Sequence, residues 1–311
     1  MFLTFSTILI LQLFLSISVK TKSIDRHDNL EITSNINSEL LFMGSSRCYS
    51  HFDPSFFKEN FNLKSTNIGM DGHAELSMTY LRLVDYLKSN TPPKYVILNF
   101  DPFTLAGDIS NVSPVKYNKD KFSKYAYLPF NDDWETVKHF GYNNLEKYVP
   151  LYAIFKYKKL SLYFNNKYTG KSRFERFGYG KNNATWDTIN HPTHNQSINY
   201  YPLKLDPTGV KKALSGLKDL CSSYEIKLIC IQTPVYKSIF VGEIFNLPKK
   251  ICEELDIMFI DANYVSIRLD INNFYNSNHL NNSGVNKMNK QLISEPKLFN
   301  LFKQKRPHNT M

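Results

Sequence analysis

Short apolar runs alternate with stretches of helical periodicity along this chain, and that alternation restricts the fold more than any other feature. Leu40-Leu41-Phe42-Met43 has the length and composition of a buried strand. Leu76, Tyr80, Leu83 and Leu87 recur at helical spacing, so residues 74–89 read as an amphipathic helix feeding a strand at 95–98. Val210, Leu214, Leu217 and Cys221 repeat the pattern after Asp206-Pro207, a cap and first-turn pair, and lead into a strand at 226–231. A further helix is expected over 239–255, interrupted near Pro248, followed by a strand at 257–260. Strands separated by helices pair in parallel, and a parallel sheet must be covered on both faces. The predicted class is therefore α/β, a three-layer α/β/α sandwich of the flavodoxin-like kind. With 311 residues and 42% hydrophobic content, the chain can bury a full core as one elaborated domain or two small ones.

Two motifs near the ends of this pattern carry chemistry. Gly44-Ser45-Ser46-Arg47 follows the first apolar run, where glycine and small hydroxyl residues can turn the chain and expose a serine at the end of a strand. Backbone amides just past such a turn point outward and can bind a developing oxyanion. Taken alone, Gly-Ser-Ser reads first as an ordinary strand-to-helix turn. The second motif, Asn276-Ser277-Asn278-His279-Leu280, offers a histidine as general base.

The order and context of these residues resemble the SGNH hydrolase superfamily, the GDSL-type esterases and acyltransferases. Gly44-Ser45-Ser46 is similar to the family's Gly-Asp-Ser block, with Ser45 where Asp is usual, and the resemblance implies Ser46 as nucleophile. Asn67-Ile68-Gly69-Met70-Asp71-Gly72 looks like the second block, Asn-x-Gly-x-x-Gly, which implies an oxyanion-hole amide at Gly72 beside that of Ser46. Phe274-Tyr275-Asn276-Ser277-Asn278-His279-Leu280-Asn281, with Gly284 after it, resembles the Asp-x-x-His-Leu-Asn block and implies His279 as base. The likeness spans residues 38–105 and 205–295. It further implies Asn99, at the end of the 95–98 strand, as a candidate oxyanion donor; Arg47, next to Ser46, and His73, which follows Gly72, are candidate substrate contacts by position.

One departure bears on mechanism. Asn276 stands where the family has Asp, so an imidazolium at His279 would lack its anionic neighbour. In serine proteases the same exchange costs about four decades of rate, chiefly through the wrong imidazole tautomer. Asp101 and Asp270 are alternative carboxylates for the role. A catalytically weak or inactive binding protein of an envelope assembly pathway is thus the alternative to an esterase or O-acyltransferase.

Residues 106–204 break the alternation and read as an insertion or cap, leaving 23–105 and 205–311 as the catalytic-type domain. Between residues 116 and 181 lie 14 Lys or Arg against 6 Asp or Glu, most of the chain's net charge of +10, together with 10 of its 20 tyrosines. Interleaved cations and aromatic rings suit an anionic, ring-containing polymer, and Lys156, Lys158 and Lys159 are candidate contacts. A solvated lysine face over packed tyrosines is the plain alternative. Nucleic acid is not the expected partner, since no zinc-finger, RNP-like or helix-turn-helix spacing is present.

Residues 2–19 form an uncharged, mostly apolar stretch of 18, so residues 1–22 read as a signal peptide or membrane anchor. Lys20, Lys22 and Arg26 follow it, which by charge alone favours a cytoplasmic body; the family resemblance implies an extracytoplasmic one, anchored or secreted, acting on an acylated polysaccharide or other acyl ester. Cys48, Cys221, Cys230 and Cys252 show no metal-ligand spacing, and neither metal nor cofactor is expected. Cys48 is a rival nucleophile in name, better read as a buried thiol. His191 and His194 read as polar-loop residues.

Overall fold

The computed structural model describes residues 6–11, 14, 35–69, 76–106, 144–145, 177–189, 205–240 and 242–303. The chain divides into two compact units, residues 1–34 with 109–175 and residues 35–108 with 176–311. Of the first unit, 6–11, 14 and 144–145 are described and helical. Most of the apolar stretch 2–19 and all of Lys156, Lys158 and Lys159 lie outside the described residues. No described helix is long and apolar enough to cross a membrane.

The second unit is built on a five-stranded parallel sheet. Its strands are β1 (Leu40–Met43), β2 (Ser65–Asn67), β3 (Tyr95–Asn99), β4 (Lys227–Gln232) and β5 (Met258–Asp261), in the order β2-β1-β3-β4-β5. That is the flavodoxin-like order, and the expected three-layer α/β/α class is the observed one. Every residue of β1 and β3 is buried, as a sheet covered on both faces requires. Phe42 of β1 stacks on Phe52 at 5.2 Å and meets Phe57 edge-on at 4.8 Å, joining the sheet to the helices beside it.

The helices are α1 (Ser46–His51), α2 (Pro54–Phe61), α3 (Leu76–Leu87), α4 (Pro207–Ser223), α5 (Gly242–Glu254), α6 (Val265–Arg268), α7 (Asn282–Ile293) and α8 (Pro296–Lys303). The Asp206-Pro207 signal holds: Asp206 caps α4 by accepting from the Gly209 N–H at 3.0 Å, and proline occupies the first turn. The expected interruption at Pro248 does not occur. α5 runs through it, because Pro248 is buried with Phe245, Ile251 and Cys252 on the face turned to the core, and this packing outweighs the missing backbone hydrogen bond.

Residues 177–189, part of the stretch expected as an insertion, belong to the sheet-bearing unit. Asn67 N–H donates to Phe177 O, Gly180 N–H to Tyr49 O, and Asn282 N–H to Asn182 O, at 2.8, 3.0 and 2.7 Å. A Cβ on Gly180 would lie 1.8 Å from the Tyr49 ring, so any larger residue there would have to displace that ring.

Candidate active site

In this strand order, ligands bind outside the C-terminal strand ends where β1 and β3 diverge toward opposite edges. Ser46 lies there. β1 ends at Met43, and Gly44 turns the chain with φ of +136°, a conformation that L side chains rarely adopt; a Cβ would also press on Asn99 Cβ at 3.0 Å. Ser45 then caps α1, its side chain accepting from Arg47 N–H at 3.3 Å. Ser46 becomes the first residue of the helix, partly exposed, and its own N–H precedes any intrahelical acceptor.

His279 arrives from a different element, a two-stranded antiparallel hairpin of β6 (Phe274–Asn276) and β7 (His279–Leu280). Although 233 residues separate them in sequence, Ser46 Oγ and His279 Nε2 are 2.9 Å apart. On the far side of the ring, Nδ1 lies 3.0 Å from Asn276 Oδ1. Tyr275 stacks on the imidazole at 5.3 Å with 18° between planes.

The surroundings of Asn276 decide the tautomer. Its Oδ1 also accepts from the backbone N–H groups of Asn278 at 3.1 Å and His279 at 2.8 Å. Turning the amide over would set its NH₂ against two N–H donors, so the oxygen is held toward the ring. An oxygen there can only accept; His279 therefore carries its proton on Nδ1 and leaves Nε2 free to accept from the Ser46 hydroxyl. The wrong-tautomer penalty expected for Asn in place of Asp is removed by this local turn. Asp101 and Asp270 do not take the role: Asp101 pairs with Arg47, and Asp270 with Lys287 at 3.3 Å.

Two expected contacts are corrected by burial. Arg47 does not face substrate. It is 2% exposed, its Nε is 2.9 Å from Asp101 Oδ2, and its Nη2 donates to Thr233 O and Oγ1 at 2.6 and 2.9 Å. The Phe103 ring lies 4.8 Å from the guanidinium centre. The guanidinium thus turns inward to the carboxylate that Asp101 presents just past the end of β3. Asn99 is likewise not aimed at an oxyanion: it is buried, and its amide nitrogen lies 3.1 Å from Asp101 Oδ2 and 3.4 Å from both Ile231 O and Thr233 Oγ1. Gly72 and His73 lie outside the described residues.

Three residues had no role in the sequence reading. Asn67 donates to Cys48 O and Phe52 O at 2.8 and 2.9 Å and accepts from Gly69 N–H at 3.0 Å, tying the end of β2 to α1. Thr233, just past β4, gathers Arg47 and His51. His51 closes α1, is fully buried, and is held well below the usual imidazole range by that burial first, then by Arg47 and His279. Nothing in the spacing of Ser46 and His51 marks the latter. Cys48, the rival nucleophile, is buried with its Sγ 3.5 Å from Asn67 Oδ1. Among the described residues there is no cluster of side chains fit to hold a metal ion.

No family model matches the chain, and no curated protein matches it. Among solved structures, it is similar to a protein of Bacteroides fragilis provisionally named an acylhydrolase, at 12% identity over 85% of this chain and 88% of that one, with a TM-score of 0.37. It is also similar to a GDSL-like lipase of Bacteroides thetaiotaomicron, at 13% identity over 82% and 87% of the two chains, with a TM-score of 0.35. Scores this low define no shared fold, so the description rests on strand order and motif placement. The structure shows the flavodoxin-like strand order with Gly44-Ser45-Ser46 following β1, Asn67 ending β2, and the hairpin of His279 bringing its imidazole to Ser46.

Proposed function

We propose that this chain is a serine-dependent esterase or O-acyltransferase. The observation that carries the reading is the relay from Ser46 Oγ to His279 Nε2 at 2.9 Å and from Nδ1 to Asn276 Oδ1 at 3.0 Å, in the tautomer that general-base catalysis needs. Ser46 Oγ adds to an ester carbonyl while its proton moves to His279 Nε2. The tetrahedral oxyanion is met by the Ser46 N–H at the start of α1 and, by the family resemblance, by Gly72. Collapse breaks the ester C–O bond, the imidazolium returns its proton to the leaving alcohol, and an acyl-serine remains. Water then completes hydrolysis; a sugar hydroxyl completes transfer.

The proposed substrate is an acylated polysaccharide of the cell envelope or the space beyond it, with the chain anchored or secreted through residues 1–22. This reading is supported by the surplus of cations and tyrosines between residues 116 and 181 and by the uncharged stretch 2–19. A fluorophosphonate should label the wild type and not Ser46→Ala, and the wild type should release acyl groups from an O-acetylated acidic polysaccharide. Polysaccharide binding with neither labelling nor turnover would establish the non-catalytic alternative.

A further inference from the structure

His51 lies outside the relay yet touches both of its halves. It is the last residue of α1, the helix that Ser46 opens, and it is 0% exposed. Its Nε2 accepts from the backbone N–H of Leu280 at 3.0 Å, the peptide immediately after His279. Its Nδ1 is 2.9 Å from Thr233 Oγ1, and its carbonyl accepts from Asn289 Nδ2 of α7 at 2.8 Å. A backbone N–H can only donate, so Nε2 must be unprotonated, which puts the proton on Nδ1, directed to Thr233. The His51 and His279 rings meet edge to face at 6.0 Å.

This contact matters because the hairpin carrying His279 is too short to place it by ladder alone: β7 has two residues and, among the described residues, pairs only with β6. We propose that His51 is a positioning residue whose neutral imidazole clamps the His279–Leu280 peptide to the nucleophile helix, and that protonation of His51 opens the clamp. An added proton on Nε2 would face the Leu280 N–H donor. The new charge would sit beside Arg47 of its own helix and opposite His279 of β7. Asp101, after β3, already pairs with Arg47, while Thr233 after β4 and Asn289 of α7 bring no charge. The clamp therefore works only while His51 is neutral.

The proposal rests on Ser46 being the nucleophile, and its test separates the two. Fluorophosphonate labelling rates are measured for wild type, Ser46→Ala, His51→Gln and His51→Phe, alongside the ¹⁵N shifts of His51 in the wild type. The Gln side chain can place Oε1 where Nε2 stood and still accept from Leu280, whereas Phe cannot. His51→Phe should label about a hundredfold more slowly, the scale of a misplacement near 1 Å, and His51→Gln should recover most of that loss. The shifts should show an unprotonated Nε2 at neutral pH. Phe matching wild type, Gln as slow as a folded Phe variant, or a protonated Nε2 would each overturn the clamp while Ser46-dependent labelling stood. Should His51→Phe not fold, the His51→Gln rate and the ¹⁵N shifts still decide. A wild type that is never labelled would overturn the serine reading and the clamp together.

Discussion

The nucleophile side and the base side of this site are held by different kinds of structure. Ser46 follows a strand paired on both edges, β1 between β2 and β3, and its helix is tied down by the buried Arg47–Asp101 pair. His279 sits on a two-residue strand outside that sheet and is placed by side chains: Asn276 beneath the ring, His51 behind the next peptide, and Asn281, which caps α7 through Gly284 N–H at 3.1 Å and donates to Asn272 O and Phe274 O at 2.8 and 3.2 Å. A continuous backbone ladder tolerates change at single side chains. A peptide positioned by individual amide and imidazole contacts does not, so the base side is where substitution and pH should act on function.

The largest effect should come from removing either end of the relay. Ser46→Ala and His279→Ala should each cost on the order of a million-fold in ester turnover, and the double variant should be little worse, as for other catalytic units. Steady-state hydrolysis of a short acyl ester checks this, and additive losses would show that the two sides do not act together.

Next is the buried ion pair. Arg47→Met should destabilise the protein by about 3–5 kcal/mol in urea unfolding, because Asp101 is left buried and uncompensated, and Arg47→Met with Asp101→Leu should regain most of it. If Arg47→Met proves nearly neutral, the sheet alone secures the nucleophile side, and the contrast becomes sharper still.

Acidification should act through the base side. The unfolded chain protonates His51 near the ordinary value of about 6.5, whereas the folded chain holds it well below, mainly by burial. Below that value the unfolded state binds more protons. Stability from this group is therefore full above it and declines as pH falls toward the folded-state pKa. Melting temperatures followed from neutral to mildly acidic pH should fall, and His51→Gln should flatten the fall; an unchanged slope would remove His51 as its cause.

The smallest effect expected is a gain. Asn276→Asp keeps an oxygen in the turn that accepts from Asn278 and His279 and adds a charge beside the imidazolium. Since the tautomer is already correct, only the charge-assisted hydrogen bond is new, worth about 1–2 kcal/mol or roughly tenfold in rate. A gain of several decades would mean instead that the wild-type amide is turned the other way.

Much of this was legible in the chain itself. The parallel, two-sided layering follows from strands alternating with helices, and each of the expected strands at 95–98, 226–231 and 257–260 is found within one residue of its place. Ser46 and His279 were legible because a turn after a buried strand and a short polar motif leave local marks. Arg47 and Asn99 were misread, since a charged or amide side chain beside a motif looks alike whether it faces solvent or a buried partner. What settles the matter is Thr233 from the end of β4, and Asp101, which stands two residues past Asn99 and reaches Arg47 from the end of β3.

By itself, then, the sequence determined the α/β layering, because hydrophobic periodicity and turn residues act over a few neighbours, and it offered Ser46 and His279 through the resemblance that their short blocks carry. Only the tertiary structure decided that Ser46 and His279 meet, that Asn276 presents its oxygen, and that His51 joins the two sides. The first and last of these are hydrogen bonds between segments more than two hundred residues apart, and the second is set by the N–H donors that the turn around Asn276 presents once it is folded.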